Sequence, residues 1–483
     1  MRAVVALGLL AVASCDLVFG LDGHELAPDS GSGTITGTFV RQVIANNSQH
    51  LPTPTESGLT SPELDLELRV GSATTNVPVD SSGSFEAATA VPYALAWTLD
   101  GGVPIELQSS APVLELVDLW VGRADRTPVT KPTTLTFDVP SVGSDEFVAV
   151  QGTGLWADIG ANEAPGATMF GVDWHAVTDA HHTPGLLDAS QNDRLYALFY
   201  HHIKDATHDY DQLVAYFTAD ITQTDGTSDA VTNTPTALGL SPCTEIVASP
   251  TLDGQRLAAA NPAYVPHDSS WAVVGIPIGA RDNTGINYLA GNSQVAIADV
   301  DSMIHYDDPF PGVTEVAAMT ASLTRSVQLG GAAPTTFTAA SFELDQVLNN
   351  CQATTLGGRL AAIVGWSVAG QSLAADGASL TVDRTADVDA SFMVSSGAAD
   401  YYQIDLVQLG VSAGATTATV IRTYWTTDPV VHVDPALLVP GTTYALTSWV
   451  QVGVPGATTG NFKSLAFPRG FTVTTSPTFT VAN

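Results

Sequence analysis

The sequence predicts an all-β protein, a multidomain chain of antiparallel β-sandwiches with a larger β domain at its centre. Charged residues make up only 13% of the 483 residues, while hydrophobic residues reach 45%, which is enough to bury a core. Several runs alternate apolar and polar residues, the period of a strand with one buried face. The 42 Gly and 28 Pro residues interrupt these runs at short spacing, as turns do. A chain of this length suggests about three domains.

Residues 1–14 are predicted to be a signal peptide. Arg2 precedes the apolar run 3–13, which is too short to cross a bilayer because a spanning helix needs about 20 residues. Two cleavage sites fit the end of this run. The small residues Ala11 and Ala13 suit ordinary signal peptidase, which would release a soluble protein beginning at Ser14.

The other cleavage site is Val12-Ala13-Ser14-Cys15, which resembles the lipobox of bacterial lipoproteins. The resemblance implies that Cys15 receives a diacylglyceryl group and becomes the first residue of the mature chain. Two or more acyl chains hold a protein stably on a membrane. Residues 15–33 would then form the lipidated cysteine and a flexible tether rich in Gly, Ser, Pro and Asp. We therefore expect a lipid-anchored protein of the bacterial cell envelope, facing the periplasm or the exterior.

The cysteine count agrees with this anchor. The chain holds three cysteines, an odd number that is awkward in an exported protein. If Cys15 is lipidated, Cys243 and Cys351 can pair as one disulfide. The alternative is that these two are buried free thiols.

Residues 34–125 are predicted to form a small β-sandwich. The runs 34–44 and 64–70 alternate with period two, and Asp80 and Gly83 form a turn that returns Phe85 to the core. The Asp-x-x-Gly-x-Phe turn resembles that of carboxypeptidase-regulatory-like, prealbumin-like sandwiches. These also open on a Gly-x-(Val/Ile)-x-Gly strand, as in Gly33 to Gly37. The resemblance implies a non-catalytic spacer or binding platform.

Residues 126–379 are predicted to form the central all-β domain. Strand-like runs follow one another with turn residues between them, and without alternating helices they favour a large antiparallel sandwich over a propeller-like ring. One segment, 339–350, is predicted to be a helix because Phe342, Val347 and Leu348 fall loosely on one side. The strand-like runs are 133–139, 193–203, 211–221, 270–278, 293–304, 315–327 and 358–368.

Residues 380–483 are predicted to form a second small sandwich, with strands at 401–409, 417–425 and 443–452. Between the last two, Leu438, Pro440 and Tyr444 match the Leu-x-Pro-x-x-x-Tyr corner of fibronectin type III domains, which this segment resembles. The resemblance implies that the Tyr444 hydroxyl bonds the backbone upstream, as in the tyrosine corner of immunoglobulin folds.

The formal net charge of −33 restricts the partners of the protein. It comes from 49 acidic and 16 basic residues. A surface this negative repels phosphate backbones, so the charge argues against nucleic-acid binding. Cations, basic envelope proteins and neutral glycans remain as partner classes.

Histidines and aspartates are concentrated between residues 173 and 208. Imidazole and carboxylate are ligands for zinc, copper or iron, so a catalytic metal site is one interpretation. The other is a set of solvent-facing loop histidines, because neighbours such as His201 and His202 point to opposite faces of a strand. The candidate ligands are Asp173, His175, His181, His182, His201, His202 and His208.

Two further patterns suggest a metal site or a catalytic site. The Asp-rich segments 219–230 and 298–308 suggest calcium, although neither has EF-hand spacing, so a divalent cofactor (Ca or Zn) stays a hypothesis. The segment Gly365-Trp366-Ser367-Val368-Ala369 is similar to a nucleophile elbow, but only His432 follows it. We therefore favour a bend within a strand.

No complete catalytic constellation emerges from these patterns. The leading hypothesis is a cell-envelope lipoprotein that acts as a non-catalytic surface binding or display module. A metal-dependent enzyme using the 173–208 cluster is the first alternative, and a glycan-binding protein is the second.

Overall fold

The computed structural model confirms the all-β fold class, with 59% of the chain in strands and 5% in helices. It describes residues 33–482 apart from 62, 71–72, 90–91, 100–101, 124, 139–142, 155–156, 162–167, 176–184, 206–208 and 278–286. Within these ranges, no helix combines the length and apolar character that a membrane crossing requires. Cys15 and the predicted signal peptide lie outside the described residues.

The N-terminal region is a sandwich of two sheets. One sheet has the order β2-β1-β5 with β8 parallel to β1, and the other places β3 between β4 and β6, with β7 beside β6. Phe39 and Trp97 meet edge to face between the sheets at 5.5 Å. The strands are β1 Thr34–Asn46, β2 Pro52–Gly58, β3 Leu64–Val70, β4 Ala73–Asn76, β5 Ser84–Ala88, β6 Tyr93–Leu99, β7 Ile105–Ser109 and β8 Val113–Val121.

The central region contains long antiparallel strands and the α-helix α1, Pro250–Ala260. The strands are β9 Thr134–Asp138, β10 Glu146–Thr153, β11 Ala157–Ala161, β12 Met169–Asp173, β13 Arg194–Lys204, β14 Asp209–Ala219, β15 Ser228–Thr232, β16 Thr236–Ala237, β17 Cys243–Ala248, β18 Val265–Pro277, β19 Asn287–Gln294, β20 Val300–His305, β21 Val313–Val327, β22 Thr335–Gln346 and β23 Ala353–Leu356. A short 3-10 turn lies at Ala189–Gln191 in this region. Two more lie in the C-terminal region, at Pro435–Leu437 and Ala457–Thr459.

The C-terminal region is a second sandwich, and its core includes residues from Ala361 onward. Its strands are β24 Ile363–Val368, β25 Gln371–Ser372, β26 Ala378–Leu380, β27 Val388–Val394, β28 Tyr401–Ser412, β29 Ala415–Thr426, β30 Val430–Val433, β31 Thr443–Val452, β32 Arg469–Thr475 and β33 Phe479–Val481.

One sheet of 19 strands runs through all three regions. In the central region β14, β19, β18, β21 and β22 pair in that order, and β22 then pairs with β32 of the C-terminal region. From β32 the pairing continues through β31, β28 and β29. β29 pairs in parallel with β7 of the N-terminal region. Main-chain hydrogen bonds therefore join the three regions directly.

Four smaller sheets cover this long sheet and enclose the main hydrophobic cores. The sheet β2-β1-β5 with β8 covers the N-terminal part, and β25-β24-β27-β30 covers the C-terminal part. In the central region β12-β9-β15 and β20-β17-β23 each cover a core of their own. This arrangement explains the alternating sequence runs, because strands such as β3 bury one face against a covering sheet.

The prediction of a helix over 339–350 is wrong, because this segment contributes to β22, Thr335–Gln346. Phe342 and Leu344 face one hydrophobic core, while Glu343 lies on the opposite face with no exposed surface. A strand that buries polar residues on one face loses the simple apolar alternation from which strands are recognised. The helix α1 lies elsewhere and begins at Pro250, a residue favoured in the first helical turn.

Candidate functional site

The described histidines of the predicted metal cluster lie on two elements, with His201 and His202 on β13 and His175 just after β12. On β13, His201 is exposed, whereas His202 is partly buried and its Nδ1 lies 2.8 Å from Asp211 Oδ1. His202 Nε2 lies 3.4 Å from Asp209 Oδ1, and Lys204 also pairs with Asp209. These side chains form a charged network across the β13–β14 hairpin.

His175 and Asp173 lie on a different element, at the end of β12. The backbone N–H of His175 donates to Asp173 Oδ1 at 3.1 Å, which is a local turn contact. His181, His182 and His208 lie outside the described residues. Among the residues that the structure does describe, no three His, Cys, Asp or Glu side chains are grouped to hold a metal ion.

Two of the aspartates that suggested calcium accept hydrogen bonds from backbone N–H groups of other segments. Asp225 accepts from the backbone N–H groups of Thr130 and Lys131, each at 3.0 Å. Asp299 accepts from the backbone N–H of Thr251 at 3.1 Å, at the start of α1. These carboxylates connect segments distant in sequence, which is a structural use of the acidic residues.

The structure joins Cys243 and Cys351 in a disulfide that links β17 to the turn before β23. In the Gly-Trp-Ser segment, Ser367 lies on β24 with its hydroxyl 2.7 Å from that of Ser391. His432 Nδ1 lies 2.8 Å from Asp389 Oδ1 on another strand. Ser367 is therefore part of an antiparallel strand pair, and not of a strand-to-helix turn.

Tyr444 lies in the place that the resemblance implies for a tyrosine corner. Its hydroxyl donates to the carbonyl of Leu437 at 2.9 Å and accepts from the N–H of Val439 at 2.8 Å. The side chain is fully buried. Both bonds hold the short connection that crosses to β31.

A cleft of about 410 Å³ opens between the central and C-terminal regions, and we name it the junction cleft. Its central wall comes from the ends of β18, β21 and β22, and its other wall is the loop that leads into β32. Leu465 of that loop also packs on the N-terminal core, and Gly312 approaches Leu51. The lining residues are Ile276, Pro277, Thr314, Gln346, Leu465, Ala466, Phe467 and Arg469.

The junction cleft has the size and the position of a ligand site. Pockets for small ligands typically measure roughly 300 to 1,000 Å³ and are frequent where domains meet. More of its exposed wall is polar than apolar, and its polar side-chain groups are the Thr314 hydroxyl, the Gln346 amide and the Arg469 guanidinium. The sequence does not indicate this site, because its residues are separated by almost 200 positions. The one available signal was the presence of an arginine in a chain that has few.

Buried carboxylates form a second feature that the sequence analysis missed. Asp253 on α1 accepts from the Ser341 hydroxyl at 2.6 Å, and Glu343 accepts from the N–H of Gly357 at 3.0 Å. Arg359 Nε lies 3.2 Å from Glu343 Oε1. Burial raises the pKa of Glu343 to about 7, although Arg359 opposes the shift. Burial also raises the pKa of Asp253. Both groups are nearly inaccessible to solvent. Asp253 joins α1 to β22 through Ser341, and Glu343 joins β22 to the segment at Gly357 and Arg359.

No protein-family model matches the chain, and no curated protein matches it either. One solved structure, a "tetra-tandem repeat in extending region of large adhesion protein", is 9% identical. The match covers 92% of this chain and 97% of that chain, with a TM-score of 0.12. A TM-score this low carries no argument about fold or function.

Proposed function

We propose that the protein is a cell-envelope lipoprotein, anchored through Cys15, that acts as a non-catalytic binding or display module. The observation that carries the proposal is the position of Cys15. It directly follows an apolar signal run, and a polar tether leads from it to β1 at Thr34. Acyl chains on this cysteine would hold the folded body on a membrane, since each buried CH₂ contributes about 0.8 kcal/mol.

The architecture of the body supports a binding or display role. One hydrogen-bonded sheet joins all three regions, so the body would present its surfaces in a fixed arrangement. Such an arrangement lowers the entropic cost of binding a partner, because the binding groups are already ordered. A short tether lets this body reach away from the membrane surface without losing its anchor.

The anchor is tested by Cys15→Ala in the full chain. We expect the wild-type protein in the membrane fraction, with an N-terminal peptide whose mass includes the acyl groups. The variant should appear in the soluble fraction because no other cysteine occupies the lipobox position.

Ser14→Ala is the matched control, since it keeps a small residue before the cysteine and should stay membrane-bound. The proposal of an anchor fails if Cys15→Ala remains on membranes like the wild type. It also fails if the mature wild-type chain begins at an unmodified Ser14.

The non-catalytic part of the proposal has its own test, elemental analysis of the purified full chain. We expect no stoichiometric zinc, copper or iron. One tightly bound transition metal per chain, lost on substitution of His175 or His202, would instead support the metal-dependent enzyme.

A further inference from the structure

We propose that the free edge of β20 binds an extended segment of a basic partner protein, which adds a strand to the sheet β20-β17-β23. The inference rests on the proposed function, since it names the partner class of the binding module. Its test uses peptides and does not depend on the membrane anchor.

β20 lies at one end of its sheet and pairs with β17 on one side. Just after β20, the N–H of Tyr306 donates to the carbonyl of Pro242, on the β17 side, at 3.2 Å. Along an antiparallel strand, the main-chain groups of successive residues point to opposite sides. Asp301, Met303 and His305 therefore point their main-chain groups away from β17.

Side chains of β14 bond the last of these three residues. The Gln212 amide donates to the His305 carbonyl, and the Tyr210 hydroxyl accepts from the His305 N–H. These side chains take the places that the main chain of a neighbouring strand would occupy. The main-chain groups of Asp301 and Met303 continue the row, and within the described residues no strand pairs with them on this side. We name these two residues the β20 edge.

The β20 edge lacks the protection that another end strand of this protein has. At the end of β2, the Leu59 N–H donates to the Phe39 carbonyl, and the same alternation then places Pro52 and Pro54 at outward positions. Proline has no N–H and hinders the addition of a strand. β20 contains no proline, so its outward N–H groups can pair with a further strand.

The side chains beside the β20 edge indicate the chemistry of the partner. Asp301 and Met303 are exposed on the outer face of the sheet, and Met303 keeps 37% of its surface exposed. Glu245 on β17 lies opposite Met303 and is half-buried. Neither carboxylate has an ion-pair partner among the described residues. The best partner strand would therefore place a basic residue beside Asp301 and an apolar residue, two positions away, beside Met303.

Charge favours a basic partner over a second copy of this chain. Each copy has a formal net charge of −33, so two copies repel each other. A basic segment is attracted by the whole protein and by Asp301 at the edge itself. Main-chain hydrogen bonds would then hold the segment, and its alternating side chains would give the specificity.

The experiment titrates the full chain, in a nonionic detergent, into the fluorescent peptide Ser-Lys-Thr-Val-Thr-Lys-Ser and follows anisotropy. The peptide sequence is the same in both directions, so it offers Lys and Val to the β20 edge in a parallel or an antiparallel pairing. We expect saturable binding below about 1 mM. Ser-Glu-Thr-Val-Thr-Glu-Ser is the matched control peptide, and it should bind at least tenfold more weakly because its charge is reversed.

N-methylated peptides test the main-chain bonds. Methyl groups on the Lys and Val nitrogens block the antiparallel pairing, whereas methyl groups on the Thr nitrogens block the parallel pairing. We expect one of these two peptides to bind at least tenfold more weakly than the unmethylated peptide, because its donors to the β20 edge are lost.

Variants of the protein test the location. Met303→Pro removes an outward N–H and leaves the pairing with β17 in place, so it should weaken binding at least tenfold. Asp301→Asn should weaken binding by about two- to fivefold, as expected for an exposed ion pair. Glu86→Gln is the matched control, since it removes an exposed acid from β5 on another sheet and should leave binding unchanged. If Met303→Pro does not fold, Asp301→Asn and the methylated peptides carry the test.

Three results would overturn the inference: no binding of the lysine peptide at up to about 1 mM, equal binding by the wild type and the β20-edge variants, or undiminished binding of both methylated peptides. A wild-type dimer that Met303→Pro dissociates would also overturn it, because a second copy would then occupy the edge. None of these results bears on the membrane anchor, which the fractionation of Cys15→Ala decides independently.

Discussion

Tyr444 shows how a single hydroxyl organises a chain crossing. The ring is buried in the C-terminal core and stands 5.8 Å from the ring of Phe479. The hydroxyl satisfies one carbonyl and one N–H of the backbone between Leu437 and Val439. The Tyr444 hydroxyl is on a fully buried side chain, and a buried hydroxyl without a partner is costly.

Tyr444→Phe removes both bonds and keeps the ring. We expect it to lower the free energy of unfolding by roughly 1 to 3 kcal/mol, because the Val439 N–H and the Leu437 carbonyl lose their partner. Denaturant unfolding followed by tryptophan fluorescence measures the change. Tyr402→Phe is the control, since Tyr402 is only partly buried, and it should change stability by much less. Equal effects of the two substitutions would contradict a tyrosine corner.

The turn before β5 shows how a short element fixes the packing of a whole strand. Asp80 Oδ1 accepts from the N–H groups of Ser82 and Ser84, and Gly83 adopts a φ of +82°. The Gly83 carbonyl accepts from the N–H of Phe39 on β1. The turn therefore sets the register in which β5 and its buried Phe85 join β1.

Gly83→Ala should be strongly destabilising, at roughly 3 kcal/mol or more, because its Cβ would lie 2.1 Å from the Phe39 carbonyl oxygen. Gly377→Ala is the control that separates the stability lost to this clash from the stability lost to backbone strain. Gly377 has nearly the same φ, +81°, but nothing lies within 4 Å of its Cβ position, so about 1 kcal/mol of strain is expected there. Thermal unfolding of both variants measures how much stability each substitution removes. If Gly83→Ala costs no more than Gly377→Ala, the close packing of the turn on β1 is wrong.

At the scale of the whole molecule, the buried acids couple stability to pH. Burial raises the pKa of Asp308 to about 7, and the neighbouring Glu315 and Asp307 carboxylates contribute. Glu343 also reaches a pKa of about 7 through burial. Hydrogen bonds from Thr130 and Lys131 lower the pKa of the exposed Asp225 instead.

These shifts predict that stability rises as the pH falls from about 8 to about 5. Between the ordinary pKa near 4 and the raised value near 7, the folded protein binds more protons than the unfolded chain, so acidification favours folding. Groups with lowered pKa values lose their contribution only at lower pH, below about 4. Partial loss of the −33 net charge acts in the same direction as the buried acids.

Denaturant unfolding at pH 5, 6.5 and 8 measures this dependence. Asp308→Asn keeps an acceptor for the N–H of Phe310 and removes the titration, so it should flatten the dependence and raise stability at pH 8. Asp383→Asn is the control, because hydrogen bonds from Thr385 lower the pKa of this exposed carboxyl below the tested range. Wild-type stability that increases steadily from pH 5 to pH 8 would contradict the prediction.

Two strands were predictable to the residue, since the run 64–70 is β3 and the run 443–452 is β31. The alternating run 34–44 continues to Asn46 as β1. The helix over 339–350 was wrong, since β22 is buried on both faces and its polar residues Ser341 and Glu343 bond to α1 and the loop at Gly357. Periodicity reports burial on one face, and it fails where a polar face is buried too.

The sequence alone determined the fold class, several of the longer strands and the Asp80–Gly83 turn, because each follows from nearby residues and their spacing. The corner at Tyr444 was implied by a resemblance to fibronectin type III domains. Only the tertiary structure decided that one sheet passes through the three regions, by pairing β22 with β32 and β29 with β7. It also decided that Thr314, Gln346 and Arg469 share a cleft. Pairing between distant strands depends on backbone hydrogen bonds that every residue except proline can make, so the sequence carries little local record of which strands meet.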